Sequence, residues 1–569
     1  MMTVALSPQA VPKSVRTRFS WLNIWTIGAF AVGAIVLLPI VSVFYVAFTP
    51  GDNIWGHLAS TVLPTYISTT LTLMVGVGTG TVVIGVGTAW LVAMCRFPGK
   101  KLFEWALLLP LAMPAYVIAY VYTDLLDYAG PLQGMLREMF GWATRRDYWF
   151  PEIRSTGGAI LMMTLVLYPY VYILSRAAFL EQSVGVLDAS RMLGRGPWRS
   201  FFSVALPLAR PAIVVGVSLA MMETLNDFGT VDFFGVSTFT LGIYDVWFNM
   251  NNVAGAAQLA GVLLLFVVSL IVIERVARRR QKFHNAGSSY RALPGYELTG
   301  GRRQLALLFC TLPVVLGFVL PAVVLIDNSI VYFDAALDAK FYQFALNSVL
   351  LSSLAAGLAV LVGVFLAYAL RLGGGRALRL VVRFSSLGYA IPGSVLAVGV
   401  LVSLGTFDNS LDGFMRRHFD ISTGLLLSGT IAAVTYGYLV RFLALSFGSV
   451  EASLEKITPA MDGAARSLGH GPWRTLRRVH LPLIRASVLT AAILVFVDGM
   501  KELPLTVILR PFNFQTLATF VHQYASDEQF GQASLAALAI VGFGILPVIA
   551  LSFAITRARP GRNDRKEVS

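Results

Sequence analysis

The sequence predicts an all-α integral membrane protein with about twelve transmembrane helices, arranged as two parallel repeats of six. Three observations lead to this prediction. The composition is 56% hydrophobic and only 13% charged, with a mean hydropathy of +0.71, a balance that soluble domains do not show. Long apolar segments recur along the chain, and one polar segment occurs twice.

The apolar segments are long enough to be membrane spans, since a helical span needs roughly 20 apolar residues. Six precede a basic stretch in the middle of the chain and six follow it. An even number of spans per repeat brings both repeats into the membrane in the same orientation, related by an axis along the membrane normal. The segments begin near Ile24, Thr69, Phe103, Gly158, Ala212, Ala256, Leu305, Asn347, Leu380, Gly424, Ser487 and Ala533.

These spans divide the chain into five parts. An N-terminal tail (1–20) precedes the first repeat (21–274), and a linker (275–304) rich in Arg, Gly and Ser leads to the second repeat (305–556) and a C-terminal tail (557–569). The apolar run 24–48 is too long for a signal-peptide core, so we interpret it as a retained first span.

The basic residues predict the orientation. They gather in alternate loops and in both tails, whereas the intervening segments 50–67 and 227–252 contain no Lys or Arg. Basic loops face the cytoplasm, so both termini are expected there. The net charge of +14 is then explained by this bias and by attraction to anionic lipids, and we expect no nucleic-acid partner.

The repeated polar segment lies in two equivalent basic loops, 181–210 and 448–485. Gly194 aligns with Gly469, and Pro207 with Pro482, an offset of 275 residues in both cases. In each copy a glycine can end a first helix, and a Gly-Pro pair can begin a second. We therefore expect a helix, a sharp turn and a second helix along the membrane surface.

Small side chains in this loop would let a partner's surface approach closely. A single copy would fit equally well an amphipathic hairpin that binds only lipid. Two matching copies in equivalent loops favour docking of a partner. The residues expected at these contacts are Asp188, Ala189, Ser190, Gly194, Leu206 and Pro207 in the first loop, and Asp462, Ala464, Ala465, Gly469, Leu481 and Pro482 in the second.

Both loops resemble the Glu-Ala-Ala loop of ABC importer permeases, whose pattern is Glu-Ala-Ala, three residues, Gly, nine residues and Ile-x-Leu-Pro. Val204 and Val479 stand at the Ile position. Asp188 replaces Glu in the first loop, while Gly463 occupies that position in the second. Since the acidic residue contacts the ATPase in the family, the resemblance implies that the second loop couples more weakly or uses Asp462 instead.

The resemblance also implies a type I ABC importer permease fold in a bacterial inner membrane. Its expected partners are two copies of an ABC ATP-binding subunit and a periplasmic or lipid-anchored substrate-binding protein. ATP and magnesium would bind in the ATPase subunits, because this chain contains no Gly-x-x-x-x-Gly-Lys-Ser/Thr motif. We expect no catalytic residue and no cofactor in the permease itself, which would couple ATPase motion to alternating access.

Two outer segments, Met221–Thr230 and Met500–Thr506, resemble the ferric iron importer permeases in particular. Ferric iron is therefore the expected cargo, delivered by the binding protein. Thiamine, phosphonate, polyamine or an anion are the alternatives within the same permease class. A secondary transporter is less favoured, because its typical inverted repeat is replaced here by a parallel one.

Ionisable residues near the outer ends of spans are the candidate substrate path. They are Glu223, Asp227, Asp498 and Glu502. Carboxylates at such depth often mark a pathway, and hard cations favour oxygen ligands. The alternatives are structural ion pairs, helix caps or a docking surface for the binding protein, and Lys501 beside Glu502 can neutralise a carboxylate.

Tyrosines and prolines in the spans complete the candidates. Tyrosines of the third and fourth spans are either phenolate ligands for ferric iron or interfacial anchors. The prolines predict helix kinks. These residues are Tyr116, Tyr120, Tyr122, Tyr168, Tyr170 and Tyr172, with Pro110, Pro114, Pro169 and Pro392.

Overall fold

The computed structural model describes residues 24–49, 55–181, 192, 196–279, 296–337, 339–373 and 375–557. Within these residues, eleven helices are long and apolar enough to cross a membrane, and a twelfth span is formed if one sharply bent helix pair is counted. The predicted all-α architecture with about twelve spans is confirmed.

The described part of the first repeat contains twelve α-helices. A 3₁₀ turn (Leu109–Ala112) precedes α5, and a π-helical segment (Phe201–Ala205) joins α8 to α9. The helices are α1 Ile24–Phe48, α2 Trp55–Thr61, α3 Leu63–Met94, α4 Lys100–Ala106, α5 Ala115–Leu126, α6 Pro131–Phe140, α7 Thr156–Glu181, α8 Pro197–Ser200, α9 Leu206–Asn226, α10 Gly229–Phe233, α11 Phe239–Phe248 and α12 Val253–Arg279.

The second repeat follows the same plan. It has a π-helical segment (Val315–Val319), a 3₁₀ turn (Gly388–Ala390) and a second π-helical segment (Leu476–His480). Its helices are α13 Gly300–Val314, α14 Leu320–Val331, α15 Phe333–Ala336, α16 Ala339–Arg371, α17 Arg376–Ser385, α18 Gly393–Phe419, α19 Ile431–Leu454, α20 Pro459–Ser467, α21 Pro472–Thr475, α22 Leu481–Met500, α23 Pro504–Leu509, α24 Leu517–Ser526 and α25 Phe530–Arg557.

Two short strands connect the repeats. Strand β1 (Cys95–Arg96) follows α3, and β2 (Tyr296–Glu297) ends the linker. They pair in parallel, with Cys95 opposite Tyr296. The linker is therefore tied to the first repeat just before α13 begins.

The third span is broken at Pro114. The segments Lys100–Ala112 and Ala115–Phe140 meet at 89°. Met113 is extended and Pro114 precedes α5, as expected because proline lacks an N–H and disfavours helical geometry in the residue before it. The second repeat has the same break at Pro392. Pro169, by contrast, lies inside a continuous α7.

The predicted start of the ninth span, near Leu380, is wrong, because the span is α18 and begins at Gly393. Residues 376–385 form the separate helix α17, which has arginines at positions 376, 379 and 383 and buries Leu378 and Val382. A helix with charges on one side and apolar residues on the other lies at a surface or interface instead of crossing the bilayer.

Each repeat packs its second, fourth and fifth spans together. In the first repeat α3 contacts α7 and α9, and in the second α16 contacts α19 and α22. The first span of each repeat joins the two halves: α1 packs on α12 of its own repeat and on α18 of the other. Similarly α14 packs on α25 of its own repeat and on α5 of the other.

The contact between α1 and α18 is close enough to need glycine. A Cβ atom at Gly399 would lie 2.1 Å from the carbonyl oxygen of Pro39. Gly405 lies on the same helix, and nothing is within 4 Å of its Cβ position. The interlocking of the repeats therefore depends on backbone-to-backbone approach at one point of α18.

We expect Gly399→Ala to destabilise the protein by about 1–3 kcal/mol, because the added methyl group must push α1 away from α18. Gly405→Ala is the matched control, and it should leave stability unchanged or raise it by up to about 1 kcal/mol through helix propensity. Thermal unfolding of the two purified variants in detergent tests this difference. Equal melting temperatures would contradict the close approach.

Candidate functional site

The second repeated loop forms the helix, turn and helix that the sequence predicts. Helix α20 ends at Ser467, and Gly469 follows with φ +74, a conformation that glycine adopts without strain. The His470 N–H donates to the Ala465 carbonyl and closes the helix end. Helix α21 then begins at Pro472 and runs through the π-helical segment into α22.

Asp462 fixes this loop to the rest of the permease. Its carboxylate lies 2.9 Å from Arg371 Nη2 at the end of α16, and 2.7 Å from His480 Nε2. Arg371 also donates to the carbonyls of Ile457, at 2.9 Å, and Leu454. We call Arg371, Asp462 and His480 the loop clamp. Since Asp462 is engaged inside the permease, the geometry favours weaker acidic contact at the second loop over use of Asp462 in place of the Glu.

The surface beyond the clamp is exposed and partly apolar. Met461, Ala464, Leu468, Gly469 and Trp473 are exposed, whereas Ala465 is buried and packs inward. Pro482 is exposed and Leu481 partly buried at the start of α22. In the first loop, Asp188, Ala189, Ser190 and Gly194 lie outside the described residues, and Leu206 and Pro207 begin α9.

One helix in each repeat leads from its loop to the candidate substrate path. Helix α9 has 21 residues and α22 has 20, so each is about 30 Å long. Glu223 and Asp227 lie at the far end of α9, and Asp498 and Glu502 at the far end of α22. Glu223 aligns with Asp498, and Asp227 with Glu502, at the repeat offset of 275 residues. The loops and the carboxylates are therefore opposite ends of the same two helices.

The structure brings all four predicted carboxylates to one cavity of about 110 Å³ between the repeats. Its lining also includes Tyr116, Tyr170 and Tyr389, with two cations, Arg441 and Lys501. We call this the central cavity. Glu223, Asp227, Asp498 and Glu502 are thus neighbours in space, as a shared path requires.

Each carboxylate also has a local partner. Glu223 accepts a hydrogen bond from Tyr389 at 2.9 Å. Asp227 accepts from the Thr230 N–H at 3.0 Å, near the start of α10. The Asp227 contact corresponds to the helix caps of the alternative prediction, whereas the Glu223 contact is a hydrogen bond from a phenol.

The two carboxylates of the second repeat are paired with cations. Asp498 lies 2.9 Å from Lys501 Nζ, and Glu502 lies 3.2 Å from Arg441 Nε. Lys501 therefore pairs with Asp498 and not with the adjacent Glu502. In the described part of the chain, no three His, Cys, Asp or Glu side chains are grouped so that they could hold a metal ion.

Arg441 links the two repeats and was missed by the sequence analysis. Its Nη1 donates to Asn226 Oδ1 of the first repeat at 2.8 Å, and the Gly393 N–H donates to the same oxygen at 2.7 Å. Its side chain is only 4% exposed. An arginine inside a predicted span is costly and usually functional, so its position in α19 was the signal that could have identified it.

The tyrosines divide into two groups. Tyr116 and Tyr170 line the central cavity, whereas Tyr120 lies 2.6 Å from His522 Nδ1 and Tyr122 donates to the Leu316 carbonyl. The Tyr116 hydroxyl is buried and has no hydrogen-bond partner among the described residues. The oxygen is enclosed by protein and is not exposed at the cavity surface.

Comparison with known proteins identifies the class. The family described as binding-protein-dependent transport system inner membrane component matches residues 81–282 and 359–559, one match in each repeat. The chain belongs to this family. It is the permease component of a binding-protein-dependent ABC transporter, a multi-pass inner membrane protein with the type I importer fold, as the resemblance implied.

Several relatives are similar to this chain, two over most of its length and one over about a third. The Fe(3+)-transport system permease protein FbpB 2 of Haemophilus influenzae is 28% identical over 489 residues, covering 85% of this chain and 89% of the relative. The ferric transport system permease protein FbpB of Actinobacillus pleuropneumoniae is 20% identical over 88% of this chain and 73% of its own. The molybdenum transport system permease protein ModB of Escherichia coli is 32% identical over 201 residues, covering 34% of this chain and 84% of its own.

The loop clamp has a matched control at the repeat offset. Arg96 corresponds to Arg371, but its ion pair with Glu297 is 3.7 Å long and both side chains are more than half exposed. We expect Arg371→Met to cost about 2–4 kcal/mol, because it removes the ion pair with Asp462 and the side-chain donor to the carbonyls of Leu454 and Ile457, although Asp462 keeps His480 as a partner. Arg96→Met should cost less than about 1 kcal/mol. Thermal unfolding that shows equal losses for both variants would refute the clamp.

Proposed function

We propose that this permease imports ferric iron, which a periplasmic or lipid-anchored binding protein delivers to its outer face. Three relatives that match most of the chain are named as ferric iron permeases, whereas the molybdenum permeases match about one repeat. Two copies of an ABC ATP-binding subunit dock on the chain, one on each cytoplasmic loop. Both termini face the cytoplasm, as the distribution of basic residues predicts.

The charge of the central cavity is the observation that carries the proposal. Four carboxylates face two cations, Arg441 and Lys501, so two negative charges remain uncompensated by cations. Carboxylate and tyrosine oxygens are ligands that hard cations prefer. An oxyanion such as molybdate or sulfate would instead need an excess of positive charge or of N–H donors. The cavity therefore favours a cationic cargo over an anionic one.

Coupling to ATP follows from the position of the two long helices. The second loop is clamped to α16 and continues directly into α22, so a displacement of the loop moves α22 as a rigid rod. In the first repeat, the described end of the loop (Pro197–Ala205) likewise continues directly into α9. When the partner subunits bind ATP and magnesium and close, the repeats rock about the central cavity and expose it to one side at a time.

The hydrogen bonds of Asn226 lie where this motion must act. Asn226 belongs to the first repeat, and both of its donors, Arg441 and Gly393, belong to the second. Separation of the repeats at the cavity would break these two bonds and re-form them on closure. The side-chain amide of Asn226 thus lies at the interface between the two repeats that move.

A paired glycine substitution tests the function and its coupling together. Gly194→Asp with Gly469→Asp should abolish uptake of radiolabelled ferric iron by iron-starved cells, because it places a charge in the turn of each docking loop. The Cβ position of Gly469 has open space but its φ of +74 strains any other residue, so the abundance of the variant in the membrane is measured together with uptake. Gly300→Asp is the control, since Gly300 also has a positive φ, +56, and open space but lies outside both loops.

Three outcomes are informative. Uptake that requires the gene and both loop glycines supports the cargo and the coupling. Unchanged uptake in the double variant would refute the role of the loops. Iron uptake that does not depend on the gene would refute the cargo, and uptake of thiamine, phosphonate, polyamine and molybdate would then be measured in the same strains.

A further inference from the structure

The second repeat provides a cation inside the central cavity at a position where the first repeat has none. The repeat offset of 275 residues aligns Glu223 with Asp498 and Asp227 with Glu502, so the carboxylates are duplicated. Between them, Asn226 aligns with Lys501. The pseudo-symmetry of the carboxylates is therefore interrupted by one ammonium group.

The two ion pairs of the cavity differ in their access to it. In the pair of Arg441 with Glu502, the side chains are 4% and 5% exposed, and the arginine is fixed by Asn226. In the pair of Lys501 with Asp498, they are 27% and 20% exposed. The first pair is sealed within the protein. The pair of Lys501 with Asp498 is more exposed, and the flexible lysine side chain lets its ammonium group move away from the Asp498 carboxylate.

Lys501 also lies among the other carboxylates. Besides its contact with Asp498, it interacts electrostatically with Glu223 and Glu502. A compact cation in this position is attracted by three carboxylates and occupies the place that a cationic cargo would need. A monovalent ion has no electrostatic advantage over it, whereas a multivalent ion does.

An oxygen without a partner completes the site. Tyr116 is 5% exposed, and its hydroxyl group has no hydrogen-bond partner among the described residues. It lines the same cavity and interacts electrostatically with Glu502 and Asp227. The hydroxyl oxygen is enclosed by protein, so a hard cation would reach it only if the Tyr116 side chain moved toward the cavity.

We infer that Lys501 is a tethered counter-cation that occupies the cargo position of the central cavity and yields only to a multivalent hard cation. It neutralises Asp498 when no cargo is present, and it swings away when the cargo takes over this carboxylate. Lys501 thus determines selectivity by charge and prevents leakage of monovalent cations. This inference rests on the proposed function, because it assumes that the cargo is a cation.

Terbium(III) is a suitable probe, since it is a hard trivalent cation that is inert to reduction and becomes luminescent beside tyrosine. The full-length permease, purified with its ATPase partners, is titrated with terbium chloride. Lys501→Met should bind terbium at least about tenfold more tightly than the wild type, because the competing charge is gone. Lys501→Arg should stay near the wild type.

Lys340→Met is the matched control, because Lys340 is an exposed lysine near the start of α16, away from the cavity lining. It should not change the terbium affinity. Sodium at a large excess should not displace terbium from the wild type, whereas lanthanum should. If Lys501→Met does not fold, Lys501→Gln keeps a hydrogen-bond donor for Asp498 and should show the same tightening.

Equal or weaker terbium binding by a folded Lys501→Met or Lys501→Gln protein would overturn the inference. Displacement of terbium by sodium would do so as well. The cargo proposal fails separately: if the wild type imports no ferric iron but removal of Lys501 tightens terbium binding, the tethered cation stands and the cargo is another multivalent cation. If the wild type imports ferric iron and the Lys501 variants bind terbium no more tightly than the wild type, only the proposed role of Lys501 is refuted.

Discussion

The requirement that every buried charge have a partner controls the centre of this protein. Arg441 lies in a membrane helix with its side chain almost fully buried, where an unpaired guanidinium would be very costly. Glu502 supplies the opposite charge, and Asn226 supplies a second acceptor from the other repeat. Because these partners come from α22 and α9, the ends of the two long helices are held at one place. The central cavity exists where they meet.

The same two helices extend to the cytoplasmic loops, so the loops and the cavity are mechanically connected. The connection is not symmetric. Asp462 and His480 form the clamp in the second repeat, but Leu187 and Ala205 stand at the corresponding positions of the first. Arg441 has Val166 as its counterpart, and Lys501 has Asn226. Duplication has preserved the framework of helices and carboxylates, while the cations and the clamp belong to the second repeat alone.

Much of this architecture was predictable from the sequence because it depends on local patterns. Apolar length reveals the spans, and the matching Gly469 and Gly194 reveal the duplicated loops. The four carboxylates were identified because charge is rare inside spans. The features that the sequence did not predict depend on tertiary contacts. The packing of α1 against the opposite repeat requires Gly399 to meet Pro39, and no periodicity encodes such a meeting. The partner of each carboxylate likewise depends on how α9, α19 and α22 converge.

We propose that the two repeats move relative to each other about the cavity when the partner subunits bind ATP. The most direct measurement is the distance between spin labels on the outer side of each repeat, at the exposed residues Phe248 and Phe512. The two native cysteines are buried, which favours selective labelling of introduced ones. In the complex with its ATPase and binding protein, the distance distribution is expected to shift when ATP is added and to return after hydrolysis. A single unchanged distance in a complex that transports cargo would contradict the account.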